Sequence, residues 1–129
     1  MNSTGANRKK TVVIVGASNK PERASYQLLQ RMKRHGGYEA ILVNPILKEI
    51  DGQPVLASLA EAPLHPDIVT LYLGAKSSDG LEAELERLKP GIVLFNPGAE
   101  NPVLMENLQR HGIEGEEACS LVLLSQNSL

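Results

Sequence analysis

The chain has 129 residues, a formal net charge of −2, and a composition that is 42% hydrophobic and 22% charged. That is enough for one core but not two, with globular rather than disordered or fibrous usage. It offers no net basic field, and with one phenylalanine, three tyrosines and no tryptophan there is little to stack on bases, so nucleic acid and anionic membranes are disfavoured as partners.

Residues 1–10 read as a flexible polar lead-in and 11–129 as a single domain, with Arg8, Lys9 and Lys10 taken as a solvated run. The longest apolar runs, 12–15 and 69–73, are far too short to span a bilayer. The polar, small residues 1–7 do not resemble a secretory signal. The single cysteine, Cys119, cannot close an internal disulfide and has no metal-ligand partner at a recognisable spacing, which fits a reducing compartment. These points together predict a cytoplasmic location and no metal site.

Residues 11–15 are β-branched and continuously apolar, the pattern of a strand buried on both faces of a parallel sheet. Gly16 ends it, and Pro21 suits the first turn of a helix in which Ala24, Leu28, Leu29 and Met32 share one face. Gly36-Gly37 stops that helix, and residues 40–43 form the next strand, closed by Asn44-Pro45. Residues 11–43 therefore make a β-α-β unit. Beyond it, the sequence predicts a short strand at 53–56, a brief helix near 58–61 and a buried strand at 67–73. A helix follows with Leu81, Leu85 and Leu88 inward and Ser77, Ser78 or Asp79 as its cap. Pro90-Gly91 breaks it before a strand at 92–95. A helix at 102–111 turns Leu104 and Leu108 inward and is capped by Gly112, and a short strand lies near Ile113. The apolar run 121–124 must pack on the core. The alternation implies an α/β fold: a Rossmann-like, doubly wound parallel sheet in three layers, with strand order 3-2-1-4-5-6 and the third strand short.

Ligands in such sheets sit beyond the carboxyl ends of the strands, beside the first. The first loop there, Gly16-Ala17-Ser18-Asn19-Lys20-Pro21-Glu22-Arg23, is small-residued and precedes a helix N-terminus, so its backbone N–H groups can meet an anion. Ser18 and Asn19 add side-chain donors, and Arg23 can pair with a phosphate. The bland alternative is a tight turn capped by Ser18 or Asn19. The second loop opens with Asn44 and Pro45, with Lys48 close behind. A site for NAD wants an acidic residue at the end of this strand and further glycines after Gly16; both are missing. The third, Asn96-Pro97-Gly98-Ala99-Glu100-Asn101-Pro102, borders the same crevice, as do Tyr72 and Gly74. Each loop also reads as a plain turn.

No catalytic set is apparent. His35 and His111 end helices, where a cation suits the dipole, and His65 sits exposed between prolines. Ser18 has no Gly-x-Ser-x-Gly elbow. Cys119 follows Glu116 and Glu117, whose charge disfavours a thiolate, and reads as buried and inert.

With these residues placed, the chain resembles the CoA-binding domain family, in particular its small single-domain bacterial members. The resemblance rests on Val12-Val13-Ile14-Val15-Gly16-Ala17-Ser18-Asn19-Lys20-Pro21, Arg23-Ala24-Ser25-Tyr26, Gly37-Tyr38, Val43-Asn44-Pro45, Gly52, Ser58-Leu59 and Asp67-Ile68-Val69. It implies a relation to the CoA-binding part of succinyl-CoA synthetase, with residues 16–19 at the pyrophosphate and Asn44, Pro45 and Lys48 flanking the adenosine. Tyr72, Gly74, Asn96, Pro97 and Gly98 would line the pantetheine side. One departure stands out: where many members carry a tryptophan and a glutamine before the glycine of the fifth-strand loop, this chain reads Phe95-Asn96-Pro97-Gly98. The family's larger ligases use further domains, for which 129 residues leave no room. The expectation is non-catalytic binding of CoA or an acyl-CoA, with a homo-oligomer or an acyl-CoA enzyme as the partner. The alternatives are a small NAD(P)-linked enzyme using the same crevice and an interaction module without ligand.

Overall fold

A computed structural model describes residues 8–129. Six strands run parallel in the order β4-β2-β1-β5-β6-β7, and a two-residue strand, β3, pairs antiparallel on the outer edge of β4. The strands are β1 (Lys10–Val15), β2 (Tyr38–Val43), β3 (Glu49–Ile50), β4 (Gln53–Leu56), β5 (Ile68–Leu71), β6 (Ile92–Phe95) and β7 (Gly115–Glu117). Numbered without β3, the parallel strands follow the Rossmann-like order 3-2-1-4-5-6. The added edge strand is the one difference. Five helices complete the layers: α1 (Ala24–His35), α2 (Ala75–Ser78), α3 (Glu82–Leu88), α4 (Pro102–Arg110) and α5 (Ser120–Ser125).

Strand alternation explains the three layers. Val13 and Val15 of β1 join Val69, Leu71, Val93 and Phe95 on one face, under Leu85, Leu88, Leu104 and Leu108 of α3 and α4. Val12 and Ile14 point the other way, to Leu28, Leu29 and Met32 of α1 and Leu124 of α5. A strand covered on both faces must be apolar at every position, which is why residues 12–15 are a continuous run. Each fully buried leucine of α1 contributes ~1.5–3 kcal/mol by leaving water.

Several local expectations give way. Of the lead-in, residues 1–7 lie outside the described residues, whereas Lys10 opens β1 and Arg8 forms an ion pair with Asp67 at 2.9 Å. Pro21 is not in the first helical turn: the chain first turns through Arg23 N–H to Lys20 O, 3.0 Å, and α1 begins at Ala24. Neither α1 nor α3 has a side-chain cap, so Ser18, Asn19, Ser77, Ser78 and Asp79 do not serve that role. Ile113 is buried in the core just before the last strand, which comes two residues later. Among the described residues, no helix is long and apolar enough to cross a membrane.

Candidate functional site

The sheet reverses its direction of growth between β1 and β5, and a cleft of about 580 Å³ opens there at the carboxyl ends of the strands. One wall is the first loop and the start of α1, with Ser18, Asn19, Lys20, Arg23, Ala24 and Ser25. The opposite wall is Asn44, Ile46 and Leu47, after β2. Tyr72, Leu73 and Pro97 close the side toward β5 and β6.

Gly16 has φ +89°, and a Cβ there would lie 3.1 Å from Leu73 Cδ2 and 3.3 Å from both Tyr72 Cβ and the Tyr72 carbonyl. Its positive φ and the close approach of Tyr72 and Leu73, just after β5, both favour glycine at this position. Its N–H and that of Ala17 both donate to the Val43 carbonyl, each at 3.1 Å. These two N–H groups are therefore already engaged within the protein, and the loop leads on through Ser18 and Asn19 to the first turn of α1. That turn is preceded by Arg23 in an extended conformation with no side-chain cap, so the helix presents uncapped N–H donors and its positive end to the cleft. The Ser18 hydroxyl accepts from Lys20 N–H at 3.0 Å and shapes the turn. The Ser25 hydroxyl donates to Gly16 O, also at 3.0 Å, tying the helix to the loop.

Asn44 lines the cleft, but its side chain faces the protein. Its amide donates to Ala17 O at 2.9 Å, and its Oδ1 accepts from Ile46 N–H at 2.7 Å and Leu47 N–H at 2.9 Å. The residue braces loop to loop and has no carboxylate for a ribose. Asn96 is turned further inward, at 2% exposure: it donates to Thr70 Oγ1 (2.6 Å) and Leu71 O (2.9 Å) and accepts from Ser120 N–H (2.8 Å). It is a structural knot rather than a wall of the cleft.

The structure thus brings Gly16, Ala17, Ser18, Asn19, Arg23, Asn44, Tyr72 and Pro97 together. Pro45, Lys48, Gly74, Asn96 and Gly98 do not line the cleft. Gly74 precedes α2 and accepts from Ser77 and Ser78, and Gly98 donates to Glu100 Oε1 at 3.0 Å. Lys20, Ala24, Ser25, Ile46, Leu47 and Leu73 also line the cleft and were not singled out for it from the sequence. Lys20 carried a usable signal, a cation within the first loop; Ile46 and Leu47 look like core in sequence, yet Ile46 is 82% exposed at the rim.

Tyr72 is half-buried, and its hydroxyl has no hydrogen-bond partner among the described residues. Burial pushes its pKa up to about 12. It is a neutral donor at physiological pH. Cys119 is half-buried rather than buried, immediately before α5, and does not line the cleft. His35, His65 and His111 all lie away from it.

A second hollow, of about 530 Å³, lies at the opposite ends of the strands among Lys10, Asp67, Glu114, Glu116 and Leu129. Its carboxylates would repel phosphate. The first cleft has two cations, Lys20 and Arg23, and no carboxylate in its lining.

The family model for the CoA binding domain matches residues 10–125. An uncharacterized protein of known crystal structure superposes with a TM-score of 0.85 at 34% identity, covering 94% of this chain and 98% of its own. The uncharacterized protein YneT of Bacillus subtilis strain 168 is 29% identical over 105 residues, 81% of this chain and 77% of YneT. The fold recurs in the dinucleotide-forming acetyl-coenzyme A synthetase 1 of Ca. Korarchaeum cryptofilum, with a TM-score of 0.70 and 16% identity, over 85% of this chain and 26% of that enzyme. With the match running from the first residue of β1 to the last of α5, the protein belongs to the CoA-binding domain family.

Proposed function

We propose that the cleft binds CoA or an acyl-CoA without catalysing a reaction on it. The carrying observation is the lining: Lys20, Arg23 and an uncapped helix start face the cleft, with no carboxylate, histidine or cysteine among its residues. Such a surface holds phosphate but offers no carboxylate, imidazole or thiol to move a proton or attack a thioester. In this reading the pyrophosphate lies against Ser18, Asn19 and the first turn of α1, between Lys20 and Arg23. The adenosine lies along the Asn44–Leu47 wall, where Ile46 and Leu47 give apolar cover. The pantetheine runs past Tyr72 and Pro97. The cleft volume falls in the range of small-molecule sites. Family membership supports the ligand class, and Asn44, with its oxygen already taken by backbone donors, argues against the ribose contact of a dinucleotide enzyme.

A holder of this kind works by presenting the thioester to an enzyme in the cytoplasm, or as part of a homo-oligomer. Calorimetric titration of the purified protein with CoA, acetyl-CoA, NAD and NADP tests the reading. Saturable binding of CoA, tighter than either dinucleotide, is expected. Preference for NAD or NADP, or no CoA binding, overturns it.

A further inference from the structure

The wall formed by Asn44, Ile46 and Leu47 leads into the β3–β4 hairpin, whose turn is Asp51 at φ +50° followed by Gly52 at φ +82°. Two successive left-handed residues make the tight turn favoured by hairpins. The hairpin is anchored to the sheet by Ile50, 1% exposed, and by Gln53, whose amide donates to Ala40 O at 2.7 Å. Its hydrogen bonds to α1 come from the turn itself. One oxygen of Asp51 accepts from the Tyr26 hydroxyl at 2.7 Å and from the Gln30 amide at 2.8 Å. Tyr26 and Gln30 are four residues apart and therefore share a face of α1.

The two walls of the cleft are consequently tied twice. At the base, Asn44 donates to Ala17 O. Outside the cleft, at a turn set toward the amino end of β4, exposed Asp51 clasps the same helix whose first turn, Ala24 and Ser25, lines the opposite wall. The first tie is half-buried; the second stands in solvent and holds the hairpin, into which the Ile46–Leu47 wall leads, against α1.

We propose that Asp51 is a positioning residue for the adenosine end of the ligand, acting through the Tyr26–Asp51–Gln30 clasp. This rests on the CoA reading above. Loss of the clasp lets the Ile46–Leu47 wall move from α1 while leaving the loop that meets the pyrophosphate, and the Tyr72 side, in place.

The test compares CoA, ADP and 4′-phosphopantetheine, the last two carrying one end of CoA each. Asp51→Ala is expected to weaken CoA and ADP by a common factor of about three to ten, the scale of one or two exposed hydrogen bonds, and to leave 4′-phosphopantetheine unchanged. Because alanine is strained at positive φ, the double variant Tyr26→Phe, Gln30→Leu removes the donors with the turn intact and should show the same selective loss. Asp51→Asn keeps an acceptor oxygen and tolerates the left-handed turn, so it should recover most of the affinity. Unchanged ADP binding in the double variant overturns the proposal, as does an equal loss for 4′-phosphopantetheine, which would mark a general structural defect. Failure of the unmodified protein to bind CoA would remove the CoA reading and this proposal together. Tight CoA binding with no Asp51 effect would remove this proposal alone.

Discussion

Replacing Asn96 by alanine should destabilise the protein strongly, because this side chain ties β5, β6 and α5 together. Three hydrogen bonds disappear. Their partners fare differently. Thr70 Oγ1 keeps its 2.7 Å contact with the Ser120 hydroxyl, and Leu71 O keeps a long 3.3 Å bond from the Asn96 backbone N–H. The Ser120 N–H, at the start of α5, loses its side-chain acceptor in a buried setting. Two lost hydrogen bonds at ~1 kcal/mol each, plus ~1–2 kcal/mol for the stranded donor, sum to about 3–4 kcal/mol. A domain of this size has ~5–15 kcal/mol of total stability, so the variant should still fold. At roughly 3–4 °C per kcal/mol its Tm should fall by about 10–15 °C. Urea unfolding measures the free energy, and amide hydrogen exchange at Ser120 should lose protection ahead of β1. A loss below about 1 kcal/mol, combined with weakened CoA binding, would refute the reasoning and make Asn96 a ligand contact instead.

Tyr72→Phe removes a buried hydroxyl that has no partner, so it should leave stability unchanged or raise it by up to about 1 kcal/mol; a clear loss in urea unfolding would mean that the hydroxyl is bonded in solution. Asn44→Asp turns a carboxylate oxygen toward Ala17 O, where an N–H now donates at 2.9 Å, and should cost about 1–2 kcal/mol without creating NAD affinity, checked by unfolding and titration. The pH profile has two flanks. The His35 pKa is raised, first by the Asn127 side chain and then by the Gly36 carbonyl, so its contribution is full below the unfolded pKa and is lost as pH rises through the folded one. Asp67 is held below the ordinary carboxylate range, chiefly by the Arg8 guanidinium, so its contribution is present above the unfolded pKa and is lost as pH falls through the folded one. Stability measured across pH should therefore decline on both sides, and His35→Gln should flatten only the upper decline.

Strands β4 and β6 were legible to the residue, and β1 nearly so, because apolar runs bounded by proline, glycine or asparagine leave a strand few other places to start and stop. The last strand was not. Gly115, Glu116 and Glu117 give no apolar signal, since they pair through the backbone along the edge of β6. Ile113, which does give one, packs into the core before the ladder begins. In the site, the three loops could be located from the order of elements alone. What remained hidden was the direction in which each asparagine points. Asparagine serves a ligand and its own backbone equally well, and nothing in spacing separates the two uses. Ile46 gave no distinguishing signal either: an exposed isoleucine at a rim has the same letter as a buried one.

The two Asn-Pro pairs bear on how the proposed CoA site would hold its ligand. Each directly follows a strand, β2 or β6, and in each the proline withholds an N–H while the asparagine side chain satisfies groups the ladder no longer reaches. Backbone that would otherwise loosen at the ends of the strands is thereby fixed from within. A wall fixed in this way loses little conformational freedom when a ligand arrives, so the ordering cost of binding falls on what is still free. In this cleft those parts are the exposed side chains of Asn19, Lys20 and Arg23 and the rim at Ile46. Two of the four are cations in open solvent, where attraction for phosphate is screened by salt over ~8–10 Å. Affinity for CoA should accordingly weaken with ionic strength while the architecture of the cleft stays as it is. Lys20→Ala and Arg23→Ala should each flatten that dependence in titrations across salt concentration, and a salt-independent affinity would place the phosphates elsewhere.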